Sequence, residues 1–163
     1  MTGQPRPIND YLDSVRDLDR AVFLVRSAPF LLLIQTPGGV EADQVATASE
    51  VNLRGGLGLV VAPLAKRPGA NNFPDMITVG RTPNNDVWLA NPGVSKFHAY
   101  FVSRAHTISL VDANSSRGTF YGEHRLAPNS RIPLHSGATV AFGPLRGTLL
   151  TAEDFYDLRV SPD

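Results

Sequence analysis

The sequence predicts an all-β fold, a β-sandwich or barrel, with an amphipathic helix ahead of it. Three observations carry that expectation. From Leu57 onward, short runs rich in β-branched and aromatic residues follow one another at near-regular spacing. Clusters of Gly, Pro, Asn and Ser separate them, as turns between strands require. No helical period alternates with these runs, which argues against a parallel sheet built from βαβ units.

The chain opens with a segment of helical period. Tyr11, Val15, Leu18, Val22 and Val25 recur at three- and four-residue spacing, which places them on one face of a helix over Asn9 to Arg26. Asn9 is the expected N-cap, and Asp10 and Asp13 sit where the helix dipole favours negative charge. Asp13, Arg16, Asp17 and Arg20 fall mostly off the apolar stripe. A helix with one apolar face must dock, either on the rest of this chain or on a second protein, including another copy. Phe30 to Gln35 (FLLLIQ) is a short apolar run closed by Thr36-Pro37-Gly38-Gly39, which reads as a buried strand ending in a turn. Residues 38–54 are weakly patterned, and loop, hairpin or short helix all fit them.

Further strands are expected at Leu57–Leu64, Met76–Arg81, Val87–Leu89, His98–Ser103, Thr107–Asp112, Thr119–Tyr121, His124–Leu126, Arg131–Pro133, Thr139–Phe142 and Gly147–Thr151. In Thr107–Asp112, Ile108 and Leu110 alternate with Thr107 and Ser109, giving one dry face and one wet one. The expected organisation is a helical or irregular extension over residues 1–54, a β-domain over 55–155 and a C-terminal tail over 156–163.

Composition narrows the function classes. Hydrophobic residues make up 42% of the chain, enough for a core. Formal net charge is zero, so no global field draws the chain to nucleic acid or acidic membranes. Between Arg81 and Arg131 there are nonetheless six basic residues against three acidic ones. There are no cysteines, which excludes disulfides, thiol catalysis and thiolate zinc sites. The N-terminal residues have no apolar signal region, and the stretch from Ala21 to Gln35 is broken by Arg26 and Pro29, too short to span a bilayer. A soluble, cytoplasmic protein is expected.

Four polar segments stand out. Val79-Gly80-Arg81 ends an apolar strand and leads into Thr82-Pro83-Asn84-Asn85-Asp86. Ser95-Lys96-Phe97-His98 enters a strand from the loop Asn91-Pro92-Gly93-Val94. Asp112-Ala113-Asn114-Ser115-Ser116-Arg117-Gly118-Thr119-Phe120 links two strands, and Ser136-Gly137-Ala138-Thr139-Val140-Ala141-Phe142-Gly143 lies near the end. Arg81, Ser95, Lys96, Ser116 and Arg117 all fall at strand ends or in loops, where β-sandwiches place binding residues. Guanidinium, ammonium and hydroxyl donors that converge describe a site for a dianionic oxyanion. Arg offers a planar fork to two phosphate oxygens, Lys a point charge and Ser a short hydrogen bond.

In this order the segments resemble the forkhead-associated (FHA) domain. The resemblance spans about Leu57 to Phe155 and is sharpest from Ile77 to Gly143. It implies an FHA/SMAD-like fold, a two-sheet antiparallel β-sandwich whose loops at one end bind phosphothreonine peptides. By the same resemblance, Arg81 is the phosphate-binding arginine and Gly80 lets its loop pack closely. Ser95 and Ser116 match hydroxyls that contact phosphate, and Lys96 stands where phosphate or peptide is often touched. His98 matches a structural histidine that braces the loops, and Gly118 supports the site with Gly80 and His98. Val94 or the chain near Gly118 is a candidate lining for the threonine methyl. Two positions depart from the family pattern. Arg117 replaces the Asn that bonds the peptide backbone, and it cannot supply that amide's carbonyl acceptor. Gly122-Glu123 replaces an Asn-Gly pair.

Catalysis is not expected. No G-x-S-x-G elbow occurs, and residues three apart near a strand start, such as Ser95 and His98, tend to point to opposite faces. Arg54-Gly55-Gly56-Leu57-Gly58 lacks the lysine of a P-loop. His98, His106, His124 and His135 are not paired at metal-ligand spacing, so neither a metal nor another cofactor is expected. Trp88 and Phe97 read as core or loop-packing residues. The expected partner is a phosphothreonine-containing protein or peptide, a Ser/Thr kinase or its substrate, and neither nucleic acid nor membrane. A second reading keeps the fold but makes the chain a scaffold or oligomerisation protein with a degenerate, phospho-independent pocket.

Overall fold

The computed structural model describes residues 5–35, 59–104 and 106–160. The turn expected over residues 36–39, the stretch 38–54 and the start of the strand at residues 57–58 lie outside the described residues. In chain order the elements are β1 (Arg6–Pro7), α1 (Ile8–Ser14), α2 (Arg20–Arg26), β2 (Phe30–Gln35), β3 (Leu59–Pro63), β4 (Ile77–Gly80) and β5 (Val87–Trp88). There follow β6 (Ala99–Arg104), β7 (Thr107–Asp112), β8 (Thr119–Tyr121), β9 (His124–Arg125), β10 (Arg131–Leu134), β11 (Thr139–Phe142), β12 (Leu145–Thr151) and α3 (Ala152–Val160).

The strands form the two expected sheets. The larger has the order β1-β3-β2-β12-β11-β8-β9 and the smaller the order β10-β7-β6-β4-β5. Neighbouring strands are antiparallel except β4 and β5, which run parallel with Val79 opposite Val87. That exception is geometrically easy. The chain leaves Gly80 and must step back only to the level of Val79, so the short connection Arg81–Asp86 suffices without a crossover helix.

One core lies between the sheets. Leu32, Ile34, Val140, Phe142 and Leu149 from the larger sheet meet Val79, Phe101, Ile108 and Leu110 from the smaller one. A second core lies on the outer face of the larger sheet, where Leu31, Leu33, Val61 and Leu150 meet Tyr11, Phe23 and Phe155 of the helices. Alternate residues of β2 therefore serve different cores, which explains its unbroken apolar sequence. β2 sits between β3 and β12 in the middle of the larger sheet, and β1 pairs with the edge of β3. The boundary expected at residue 54 thus does not coincide with an edge of the sheet, and the tail expected from residue 156 falls within α3.

The single helix expected over Asn9–Arg26 is two helices, broken over Val15–Asp19. Pro7, not Asn9, stands at the cap of α1 and makes no side-chain cap bond. Asp19 caps α2, its carboxylate accepting from the Val22 N–H at 2.9 Å. The break also frees carbonyls, and Arg159 of α3 supplies donors to those of Val15 and Leu18. Restarting the helix rotates its apolar face. Val25, expected on the stripe, is 85% exposed, while Phe23 is fully buried against Phe155. The helices dock on their own sheet. No helix among the described residues is long and apolar enough to cross a membrane.

Candidate functional site

Gly80 ends β4 and brings its strand against the loop after β5. A Cβ on Gly80 would lie 2.1 Å from the Lys96 carbonyl oxygen and 2.6 Å from Asn85 Nδ2. The first is backbone and cannot swing aside, so any side chain here forces the loops apart. Arg81 follows directly. Its N–H donates to the Ser95 carbonyl at 2.9 Å, and its own carbonyl accepts from the Trp88 indole at 3.0 Å. Arg81 Nε donates to the Val94 carbonyl at 2.9 Å, which orients the guanidinium. The two terminal nitrogens of Arg81 have no partner among the described residues.

Ser95 is tied at three points. Its N–H donates to His98 Nδ1 at 3.0 Å, its carbonyl accepts from Arg81, and its Oγ accepts the Ser116 N–H at 3.0 Å. A backbone N–H only donates, so the Ser95 hydroxyl hydrogen stays available to an anion. This one hydroxyl joins the loop after β5 to the loop after β7.

His98 does the same from inside. It is fully buried, and because Nδ1 accepts from Ser95, Nε2 must carry the proton it donates to the Gly118 carbonyl at 2.9 Å. Its backbone N–H bonds Val79 and its carbonyl accepts from Ala113. Burial pushes the imidazole below its ordinary value of 6.5, although the Gly118 carbonyl and the Asp112 carboxylate pull the other way. Gly118 has φ +91, and a Cβ there would meet Arg125 Nε at 2.7 Å. Only glycine meets both demands cheaply.

Sequence reasoning missed the buried acids that hold these loops. Asp112 accepts from the hydroxyls of Ser115 at 2.5 Å and Thr119 at 2.6 Å, fixing the turn that presents Ser116. Asp86 accepts from Lys66 Nζ at 2.6 Å, the Arg67 N–H at 2.8 Å and the Thr78 N–H at 2.9 Å. Burial alone would raise the Asp86 carboxyl, but these bonds and one from Asn71 hold it below the ordinary carboxylate value. Asn85 spans the gap between loops, donating to the carbonyls of Lys96 at 2.7 Å and Thr82 at 3.0 Å. In the sequence these residues look like ordinary turn polars, and their spacing to Ser and Thr was the only available sign.

The structure therefore brings Arg81, Ser95 and the Ser116 backbone together, with Gly80, His98 and Gly118 behind them. Lys96 is adjacent, its carbonyl anchored and its exposed ammonium without a partner among the described residues. Arg117 is exposed beside Ser116, and no bond joins it to the others among the described residues. Of the two readings of Phe97, loop packing holds: the residue is 40% exposed and its ring stacks on Phe73 and Tyr100. Among the described residues no three His, Asp or Glu side chains group as metal ligands.

Fold and loops together define a β-sandwich with a polar, cation-bearing loop end. The chain belongs to the FHA domain family. Residues 77–143 match the family model described as FHA domain. Over 103 residues the chain is 33% identical to the oxoglutarate dehydrogenase inhibitor of Corynebacterium diphtheriae, covering 62% of this chain and 70% of that protein. A 71-residue stretch, 42% of the chain, is 28% identical to the FHA domain-containing protein PS1 of Arabidopsis thaliana, and corresponds to only 5% of that relative. The fold is similar to that of the FHA domain of CT664 from Chlamydia trachomatis, with TM-score 0.52, 16% identity, and coverage of 74% of this chain and 95% of that one. FHA domains are phosphothreonine-binding modules, and that class is where this chain falls.

Proposed function

We propose that the chain is a non-catalytic reader of phosphothreonine on a partner protein acted on by a Ser/Thr kinase. Arg81 takes two phosphate oxygens, the Ser95 hydroxyl donates to a third, and Lys96, Ser116 and Arg117 lie around them. The observation that carries this reading is the state of Arg81. Its backbone and Nε are pinned by Ser95, Trp88 and Val94, while its two terminal nitrogens have no partner among the described residues. A guanidinium oriented from behind and open in front is preorganised for an anion. The cysteine-free chain suits a cytoplasmic setting, where such kinases work.

Calorimetry with a phosphothreonine peptide library and its unphosphorylated counterpart tests the proposal. The phosphorylated pool should bind far more tightly. Arg81→Ala should remove most of the difference, since charged hydrogen bonds contribute about 1.5–3 kcal/mol each. Equal affinity for both pools in the wild type would sink the reading.

A further inference from the structure

The strand β5 is two residues long and runs parallel to β4, with Trp88 opposite Gly80. The Leu89 N–H continues the pairing, donating to the Gly80 carbonyl at 2.9 Å. The chain then turns away, and the Asn91 N–H bonds the Leu89 carbonyl at 2.8 Å. The main-chain ladder therefore stops one residue short of Arg81. The Trp88 side chain supplies the missing rung, its indole N–H donating to the Arg81 carbonyl at 3.0 Å. Among the described residues no other donor reaches that carbonyl.

That bond acts on the backbone that carries the guanidinium. A peptide unit is rigid and planar, so holding the Arg81 carbonyl holds the whole plane that joins Arg81 to Thr82. The plane on the other side of the Arg81 Cα is held twice, by Leu89 on the Gly80 carbonyl and by the Arg81 N–H on the Ser95 carbonyl. With both planes fixed, the side chain leaves its Cα in a set direction. The bond from Nε to the Val94 carbonyl then orients the fork. Ser95 and Val94 belong to the loop after β5, whereas Trp88 belongs to the strand itself. The indole thus ties Arg81 to a neighbouring strand, and the other two bonds tie it to a loop.

We infer that Trp88 is a positioning residue of the phosphate site, one that holds the Arg81 fork ready for its anion by fixing the Arg81 carbonyl. It acts through Arg81 and not by touching the ligand. The inference rests on the phosphothreonine reading above. The FHA resemblance gives Trp88 no role, and in the sequence it reads as a packing residue. Packing does not account for the bond. Trp88 is half-buried, and a phenyl ring would fill such a place without a polar atom to satisfy. The indole nitrogen can only donate, and it donates to the residue that bears the phosphate-binding charge.

The probes are a labelled phosphothreonine peptide pool and its unphosphorylated counterpart, read by fluorescence anisotropy with the full chain. Trp88→Phe keeps a ring and loses the N–H. It should weaken phosphopeptide binding by about fivefold, the effect of one neutral hydrogen bond, and leave the unphosphorylated pool unaffected. Trp88 is the only tryptophan in the chain, so replacing every tryptophan by an analogue changes this residue alone. A chain made with azatryptophan keeps the N–H and should bind the phosphopeptide as tightly as the natural one. A chain made with benzothienylalanine, in which sulfur replaces the N–H in the same double ring, should show the fivefold loss. Equal phosphopeptide binding by the two analogue chains overturns the inference, because any loss in Trp88→Phe then belongs to packing. Wild-type binding that depends on phosphorylation but is unchanged in Trp88→Phe overturns it too, and leaves the Arg81 reading standing. Wild-type binding that ignores phosphorylation overturns both. If the substituted chains fail to fold, the single indole N–H signal in the NMR spectrum of the wild type decides. It should shift when the phosphopeptide is added and stay in place with the unphosphorylated peptide, and an unmoved signal overturns the inference.

Discussion

The loop end of the sandwich and the helix-covered face of its larger sheet are held in opposite ways. On the covered face, Tyr11, Phe23 and Phe155 bury apolar rings against Leu31, Leu33 and Leu150. The ion pairs there, Arg20 with Glu153 and Asp157, are exposed, and such pairs contribute little. At the loop end, buried polar groups hold the backbone: Asp86, Asp112, Asn85 and His98 each bond a neighbouring loop or turn. Among the described residues the cationic tips of Arg81, Lys96 and Arg117 take no part. An anion site needs unpaired cations in fixed places, and hydrogen bonds to the backbone fix a loop without neutralising its charged tips. A purely apolar surface could not orient them, and carboxylates at the tips would quench them.

The contrast can be broken at either region. The largest effect is expected from Phe155→Ala, a fully buried ring whose loss should cost about 3–5 kcal/mol of stability. Denaturant unfolding checks the cost. Phosphopeptide affinity of the molecules that remain folded should be unchanged, because the two regions share no side-chain partners among the described residues. Affinity falling in step with stability would show that the helical layer sets the site geometry after all.

Asp86→Ala should come next, at about 3 kcal/mol, since it takes the carboxylate from the Lys66 ammonium and leaves two backbone N–H groups without their acceptor. Unlike Phe155→Ala, it should also weaken phosphopeptide binding by loosening the connection from Arg81 to Asp86. Its pH signature is distinct. The folded carboxyl titrates below its ordinary value of 3.8, so its stabilisation is complete above that pH and is lost as pH falls toward the lowered folded value. The variant's unfolding midpoint should be less acid-sensitive in that window than that of the wild type.

The smallest expected effect sharpens the role of His98. Its folded imidazole titrates below 6.5, so on acidification the unfolded chain takes up the proton first. Stability is then complete above about 6.5 and declines as pH falls toward the lowered folded value. Protonation of Nδ1 would set an N–H against the Ser95 N–H, breaking the bond that ties Ser95 to the buried ring. Urea midpoints at pH 7.5 and 5.5 should differ in the wild type and much less in His98→Ala. Nitrogen NMR should show a neutral ring protonated at Nε2 at pH 6.5; an imidazolium there would contradict the tautomer assigned from its partners.

What local chemistry controls was readable in the chain. Thr107–Asp112 is the strand its two-residue period implies, and the short β-rich runs Thr119–Tyr121 and Thr139–Phe142 and the unbroken apolar run Phe30–Gln35 are strands as expected. The order of polar segments likewise marked Arg81 and Ser95 as residues able to meet. Their joining through backbone bonds, and the bond from Ser116 to Ser95 Oγ, required the loops after β4, β5 and β7 to close on one another.

Distant contacts decided the rest. The break between α1 and α2 depends partly on Arg159, more than 140 residues along the chain, reaching the carbonyls it frees. That restart buried Phe23 and exposed Val25 against the helical period. Asp86 and Asp112 looked like turn residues because a carboxylate's sequence neighbours do not reveal which N–H or hydroxyl it will meet once strands pair. Phe97 left core and loop packing both open in the sequence, and only the fold chose the second, stacking its half-exposed ring on Phe73 and Tyr100. The sequence by itself determined where strands form and which cations and hydroxyls lie between them, since periodicity and turn chemistry act over a few residues. Only the tertiary structure decided which of those groups are consumed in holding the loops and which stay open to a ligand, because that division is made by partners far apart in the chain.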